Sequence, residues 1–308
     1  MPGASFSWNP VTDLQALWAY PFMVNAFRAG IIVAVLAGVM GWFMVLRRQA
    51  FAGHTVSVAA FPGAAGATLV GINAAYGYFA CCVAAAVAIV AATRGRQGST
   101  GQLGHESAST GIVQAFVLAC GMLFVALYKG FLGGTTALLF GSVLGITTGQ
   151  VSLLAGVALT ALTILAVIGR PLLFASVDPD VAAARGVPVR TLSVTFLVLL
   201  GAAVAETAQI TGALLVFALL VMPAATAQRL TARPLPSLVI TVAICWLVTW
   251  AGLVAAYYSP YPIGFYVTTF AFAGYLISHL IAGLRDHLPD RFGRRRPPSP
   301  ALAAEGTA

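Results

Sequence analysis

Few residues of this 308-residue chain could do chemistry, and their positions matter more than their number. Only 8% are Asp, Glu, Lys or Arg, and four are histidine. Glu206 is an acid in an otherwise apolar run, with Thr207, Gln209 and Thr211 beside it. An ionisable group in such a run is costly in a bilayer and marks a functional site by default. Its carboxylate could ligate a cation on a permeation path. The competing assignment is a span-end glutamate that snorkels to the headgroups. His54 offers an imidazole, which suits zinc and other borderline metals, although one imidazole alone makes a poor site. His105 and Glu106 are adjacent and are expected to cap a helix; His279 and His287 receive no role. Cys81, Cys82, Cys120 and Cys245 lie in apolar runs, with no zinc-knot or disulfide spacing, and read as small hydrophobes. The chain has no His-Glu-x-x-His and no Ser/His or paired-Asp arrangement within a span, which argues against an intramembrane enzyme. It also has no Gly-x-x-x-x-Gly-Lys-[Ser/Thr], and its only lysine is Lys129, so it cannot hydrolyse ATP itself.

The elements that must carry these residues follow from composition. Hydrophobic residues make up 60% of the chain, whereas a soluble domain carries roughly 25% charged residues to coat its surface. A soluble enzyme, a disordered protein and a DNA-binding domain are excluded. What remains is an all-α polytopic transmembrane helical bundle of about eight to nine spans. A helix needs roughly 20 apolar residues to cross. Candidate spans lie at 21–46, 57–73, 76–92, 107–128, 150–169, 191–206, 212–228, 237–258 and 264–284. The apolar stretch 137–148 is too short and reads as a re-entrant or interfacial segment that protein must cover.

Charge placement orients the bundle. With the loop holding Arg47 and Arg48 in the cytoplasm, alternating sides puts every basic residue except Arg28 and Lys129 on that side, as the positive-inside rule asks. The net charge of +8 is then an orientation record and does not call for nucleic acid. The N-terminus is expected outside and the C-terminus inside a prokaryotic plasma or inner membrane. Residues 1–20 form an external lead-in with Trp8, Trp18 and Tyr20 at headgroup level and no cleavable signal peptide. Residues 21–285 form the membrane domain. Residues 286–308, with Arg294–Arg296 and a proline cluster, form a disordered cytoplasmic tail. Gly30, Ala34 and Gly38, and again Gly141, Gly145 and Gly149, place small residues four apart for close helix packing.

The polar loop 170–190 holds the most specific local signal. Asp178 can N-cap a short helix with Pro179 at its first position. Asp180 suits the first turn, Arg185 the last, and Gly186 can be a left-handed C-cap. Such a capped helix in a long connection suggests a contact role.

Here the chain resembles a known family. Asp178-Pro179-Asp180-Val181-Ala182-Ala183-Ala184-Arg185-Gly186-Val187 is similar to the coupling helix of the membrane subunits of zinc/manganese/iron ABC importers. Three other stretches agree in order: Tyr20–Met23 with Arg47, Arg48 and Gly53; Tyr128–Phe131 through Leu139–Gly145; and Gln209–Val216 through Met222–Ala227. The match spans about residues 20–285. The resemblance implies a homodimeric permease with no permanently bound cofactor. A cytoplasmic ATP-binding subunit would dock on Asp178, Pro179, Asp180, Ala184, Arg185 and Gly186, and an external solute-binding protein would deliver a divalent metal ion, zinc or manganese. Family members place an Asp and, four residues on, a His just after the glycine matched by Gly53. Those positions here are His54 and Val58, so one ligand is replaced and the other lost. This leaves His54 and Glu206 as the candidate metal residues. The alternative is an ion-coupled secondary transporter using Glu206, although no internal repeat is evident.

Overall fold

A computed structural model describes residues 18–93, 102–128, 146–213 and 215–287, together with Leu139 and Gly141. The first seventeen residues, the tail beyond 287, most of 137–148, and Arg94, Arg96, Lys129 and Gly145 lie outside the described residues.

In hydrocarbon a backbone N–H or C=O has no water to bond, so the chain must satisfy these groups within itself, which favours helices. Ten helices appear among the described residues: α1 (Pro21–Leu46), α2 (Ala50–Val70), α3 (Ala74–Thr93), α4 (Gln102–Leu127), α5 (Thr148–Val177), α6 (Pro179–Ala184), α7 (Val189–Thr211), α8 (Val216–Leu230), α9 (Pro234–Tyr257) and α10 (Ile263–His287). Proline opens α1, α6 and α9, where its missing N–H costs nothing. Gly71 ends α2 in the left-handed region at φ 82°. A reciprocal capping box starts α5, with Thr147 Oγ1 accepting from Gln150 N and Gln150 Oε1 accepting from Thr147 N.

Among the described residues six helices are long and apolar enough to cross a membrane: α1, α3, α5, α7, α9 and α10. The apolar parts of α4 and α8 are shorter. α1 and α7 are mostly buried, whereas α5 and α10 are mostly exposed and carry large apolar side chains outward, among them Leu159, Val167, Phe272 and Leu280. α2 also lies inside. Its stretch from Gly53 to Ala65 is buried, apart from the half-buried His54, among α3, α4 and α7.

Several helices depart from the expected bounds. α2 starts at Ala50, seven residues before the expected span, and so takes in His54. α4 starts at Gln102, which puts His105 and Glu106 inside a helix and not ahead of one; their side chains lie outside the described residues. α5 runs on through Arg170 and Pro171 to Val177, where a loop was expected from 170. Pro171 gives up one backbone bond, but Leu172 and Ala175 are buried and hold the last turns in place.

Small residues set the closest approaches. A Cβ at Gly30 or Gly38 would meet side chains or backbone of α9, as their spacing on one face predicted. Gly141 differs: at φ 82° it is not helical, so Gly141 and Gly149 do not share a helix face. It packs on the end of α7, where a Cβ would sit 2.2 Å from the Ile210 carbonyl oxygen. α2 and α3 cross tightest, and a Cβ on Gly77 would lie 2.0 Å from the Gly63 carbonyl oxygen.

Specific contacts mark the two ends of the bundle. At one end Arg47 bonds Ser176 and Ser193, joining the α1–α2 turn to the end of α5 and the start of α7. Toward the same end of α1, Trp42 Nε1 donates to Ser237 Oγ, and Gln228 Nε2 donates to the Trp42 carbonyl. At the other end the Tyr20 and Tyr257 rings lie 6.3 Å apart, and Asn25 donates to the Ile146 carbonyl. Gly77→Val forces the α2–α3 backbones apart, and overpacking of this kind costs about 1–3 kcal/mol or more. A lowered thermal midpoint in detergent is the expected result.

Candidate functional site

His54 sits in the second turn of α2, half-buried. Its Nε2 lies 3.0 Å from Gln114 Nε2 of α4, so the neutral ring accepts there. The Phe217 ring of α8 meets the imidazole edge-on with centroids 4.8 Å apart. Nδ1 is buried without a hydrogen-bond partner among the described residues. Val58, one turn on, is buried and apolar, so it adds no ligand. Gln114 and Phe217 escaped the sequence reading; the one available signal was an amide inside an apolar span.

Glu206 lies within α7, five residues before its end, and is 0% exposed. The snorkelling assignment is therefore overturned: the side chain is enclosed by protein and does not reach an interface. Neither carboxylate oxygen has a hydrogen-bond partner among the described residues. Its polar neighbours bond elsewhere. Thr207 Oγ1 donates to the Ala203 carbonyl, Thr211 Oγ1 to that of Thr207, and Gln209 Nε2 to that of Ala205. An ionised carboxylate here lacks any compensating donor, a cost on the order of several kcal/mol, which a bound cation would offset.

These two residues do not form a ready-made metal cage. No group of three or more His, Cys, Asp or Glu among the described residues could hold a metal ion. The cysteines are free, and Cys82 and Cys245 donate weakly to helix carbonyls, as small buried hydrophobes do.

The short helix α6 forms as its residues dictate. Asp178 Oδ1 accepts from Val181 N at 3.0 Å, Pro179 opens the helix and Asp180 stands in the first turn. Arg185 is the C-cap residue, and Gly186 takes φ 79°. Gly186 N donates to the Ala183 carbonyl and Val187 N to that of Ala182, a Schellman pair. Ala182 alone of this helix is buried; Asp178, Pro179, Asp180, Ala184, Arg185 and Gly186 are all exposed.

Arg47 is the feature whose role was least legible in sequence, where it reads as an orientation charge. It caps α1, is half-buried and spreads its guanidinium over three elements. Nη1 donates to Ser176 Oγ at 3.2 Å, Nη2 to Ser193 Oγ at 2.6 Å and Nε to Gln49 Oε1 at 3.3 Å. Its Cζ lies 5.5 Å from the centre of the Phe196 ring. Burial lowers its pKa from the ordinary guanidinium value, yet an arginine remains charged.

Comparison with known proteins agrees with this architecture. The model of the ABC 3 transport family matches residues 19–282. The chain is 31% identical over 217 residues to the manganese transport system membrane protein MntC of Halalkalibacterium halodurans, covering 70% of this chain and 72% of that one. It is 29% identical to the chelated iron transport system membrane protein YfeC of Yersinia pestis, over 91% of this chain and 94% of that one. In fold it is similar to a chain of PsaBC from Streptococcus pneumoniae in complex with Fab, with a TM-score of 0.78 and 24% identity over 90% of this chain and 98% of that one.

A buried carboxyl with no hydrogen-bond partner costs free energy that an apolar residue of similar size does not. Glu206→Leu should therefore keep or raise the thermal midpoint of the metal-free protein. A clear loss of stability would show that the carboxylate has a structural partner.

Proposed function

The chain belongs to the ABC 3 transport family, and on that premise we propose that it is the membrane permease subunit of a bacterial ATP-binding-cassette importer for a divalent transition-metal ion, manganese or zinc. The family match over nearly the whole membrane part carries this reading. The names of the relatives, which include manganese and chelated-iron transport proteins, support a metal as cargo. The metal is substrate and not a resident cofactor.

In this reading two copies of residues 21–285 enclose the path, with nine crossings each. α2 and α8 cross inside, and α4 crosses with much of its apolar surface turned outward. The N-terminal lead-in lies outside and the arginine-rich tail in the cytoplasm, which the clustering of basic residues at alternate loops supports. A separate ATPase docks on the exposed α6 at each inner face, and an external solute-binding protein loads the outer face. ATP-driven closure of the two ATPases pushes on the two α6 helices, and the bundle alternates its access. Support for docking on α6 comes from its double capping, its exposure and its near lack of burial, which leave a rigid, free surface.

His54, and Glu206 once alternating access uncovers it, serve as successive, incomplete sites on the path. Each offers one donor group, and the ion keeps part of its hydration shell at each step. A site of low ligand count releases its ion readily, which transport requires and storage does not. For Nδ1, which has no partner of its own among the described residues, to ligate a passing ion, the ring proton moves to Nε2 and the Gln114 amide turns its oxygen to accept it.

Three measurements test these assignments. A strain lacking the chain should hold less manganese or zinc under scarcity, with iron measured alongside; unchanged metal content sinks the transport reading. Glu206→Gln should fold normally and reduce uptake by about tenfold, the scale of losing one ligand or its support; unchanged uptake removes Glu206 from the path. Asp180→Arg should insert in the membrane yet lose the ATPase on purification, and an intact complex refutes docking on α6.

A further inference from the structure

The six-residue helix α6 buries only Ala182, so it has little packing of its own through which to move the bundle. Any push on it must leave through its two flanks, the last turn of α5 and the first turns of α7. Ser176 stands on the first flank and Ser193 on the second, and one guanidinium, that of Arg47, bonds both.

Arg47 does not belong to either flank. It caps α1 and leads into the turn that starts α2. Its Nε bonds Gln49 Oε1 within that turn. The turn is tight: Arg48 sits at φ 55°, in the left-handed region, and Gln49 N donates to the Met44 carbonyl. Gly53 follows, where a Cβ would lie 2.2 Å from Met44 Sδ, and His54 comes next. A shift of the turn therefore moves the start of α2 as a unit.

We propose that Arg47 is the positioning residue that transmits displacement of α6 to the α1–α2 turn and so to the His54 segment. The proposal rests on the reading of α6 as the ATPase docking helix.

Its chemistry suits a part that must move. The acceptors are neutral hydroxyls and an amide, so a partner can be exchanged without separating an ion pair. Ser176 Oγ donates to the Leu172 carbonyl, which fixes its lone pairs toward the guanidinium. The Phe196 face holds the charge from α7 while the hydrogen bonds change. A planar fork reaches two hydroxyls on different helices at once, which a lysine ammonium matches poorly.

The test uses the full transporter, purified with its ATPase and reconstituted in liposomes, with manganese(II) and zinc(II) as probes. Metal moved and ATP hydrolysed are measured together. Arg47→Ala should keep the ATPase bound and hydrolysing, while metal moved per ATP falls about tenfold, within the scale for loss of a coupling contact. Arg47→Lys should fall between. Ser176→Ala with Ser193→Ala keeps the guanidinium over Phe196 and should also lower the ratio, so it decides the matter if Arg47→Ala does not assemble. A wild-type ratio in the double serine variant, or in Arg47→Ala, overturns the proposal. Loss of the ATPase from the double serine variant also overturns it, because the Arg47 contacts would then only shape α6. Asp180→Arg separates the two readings: if that variant retains the ATPase, docking on α6 fails and this proposal fails with it.

Discussion

A bilayer interior has no water to hydrogen-bond, and that constraint decides most of what this chain does with its polar groups. The backbone closes on itself as helix. Threonines and serines inside the spans bond carbonyls on their own helices, as Thr207, Thr211, Thr226 and Thr241 do. The hydrophobic effect does not draw helices together in lipid, so close packing must. This is why glycines lie where α1 meets α8 and α9, and where α2 meets α3. Thr249, Trp250, Thr268, His54 and Glu206 depart from this pattern with buried atoms lacking a partner among the described residues, and Glu206 is the acid in that group.

The same constraint sorts helices by position. α1 and α7 are strongly apolar and also buried, so they form the centre. α2 carries His54, Thr55 and Ser57 near its start, and α3, α4 and α7 cover it. Its shelter lets an imidazole and a neighbouring amide sit inside the bundle. The less apolar a segment is, the more its place depends on neighbours, and this one carries the residue that the family resemblance points to.

At the loop end the chemistry changes. α6 is stabilised locally by its own caps and owes almost nothing to the core, so it can serve as a handle. Arg47 ties the chain on both sides of that handle to the turn before α2. A charged fork on neutral acceptors is strong enough to hold position and weak enough to yield. Rigid local structure beside an exchangeable bond is a plain physical route for carrying force from a surface helix into a buried one.

How much of this was legible in sequence varies with the range of the interactions involved. Apolar run lengths foretold an all-helical membrane bundle, because lipid solvation acts on each segment alone. The caps of α6 were read residue by residue from Asp178 to Gly186, because capping is set by neighbours in the chain. The spacing of Gly30, Ala34 and Gly38 announced a packing face, though not that α9 would fill it. What the chain order could not show was long-range. The continuation of α5 through Pro171 rests on burial of Leu172 and Ala175. The enclosure of Glu206 rests on packing around α7. The Gln114 partner of His54 and the grip of Arg47 on Ser176 and Ser193 join residues far apart in the chain. Sequence by itself determined the kind of solvent and the local turns, whose energies are local; only the tertiary structure decided which polar groups meet, because that depends on which helices pack together.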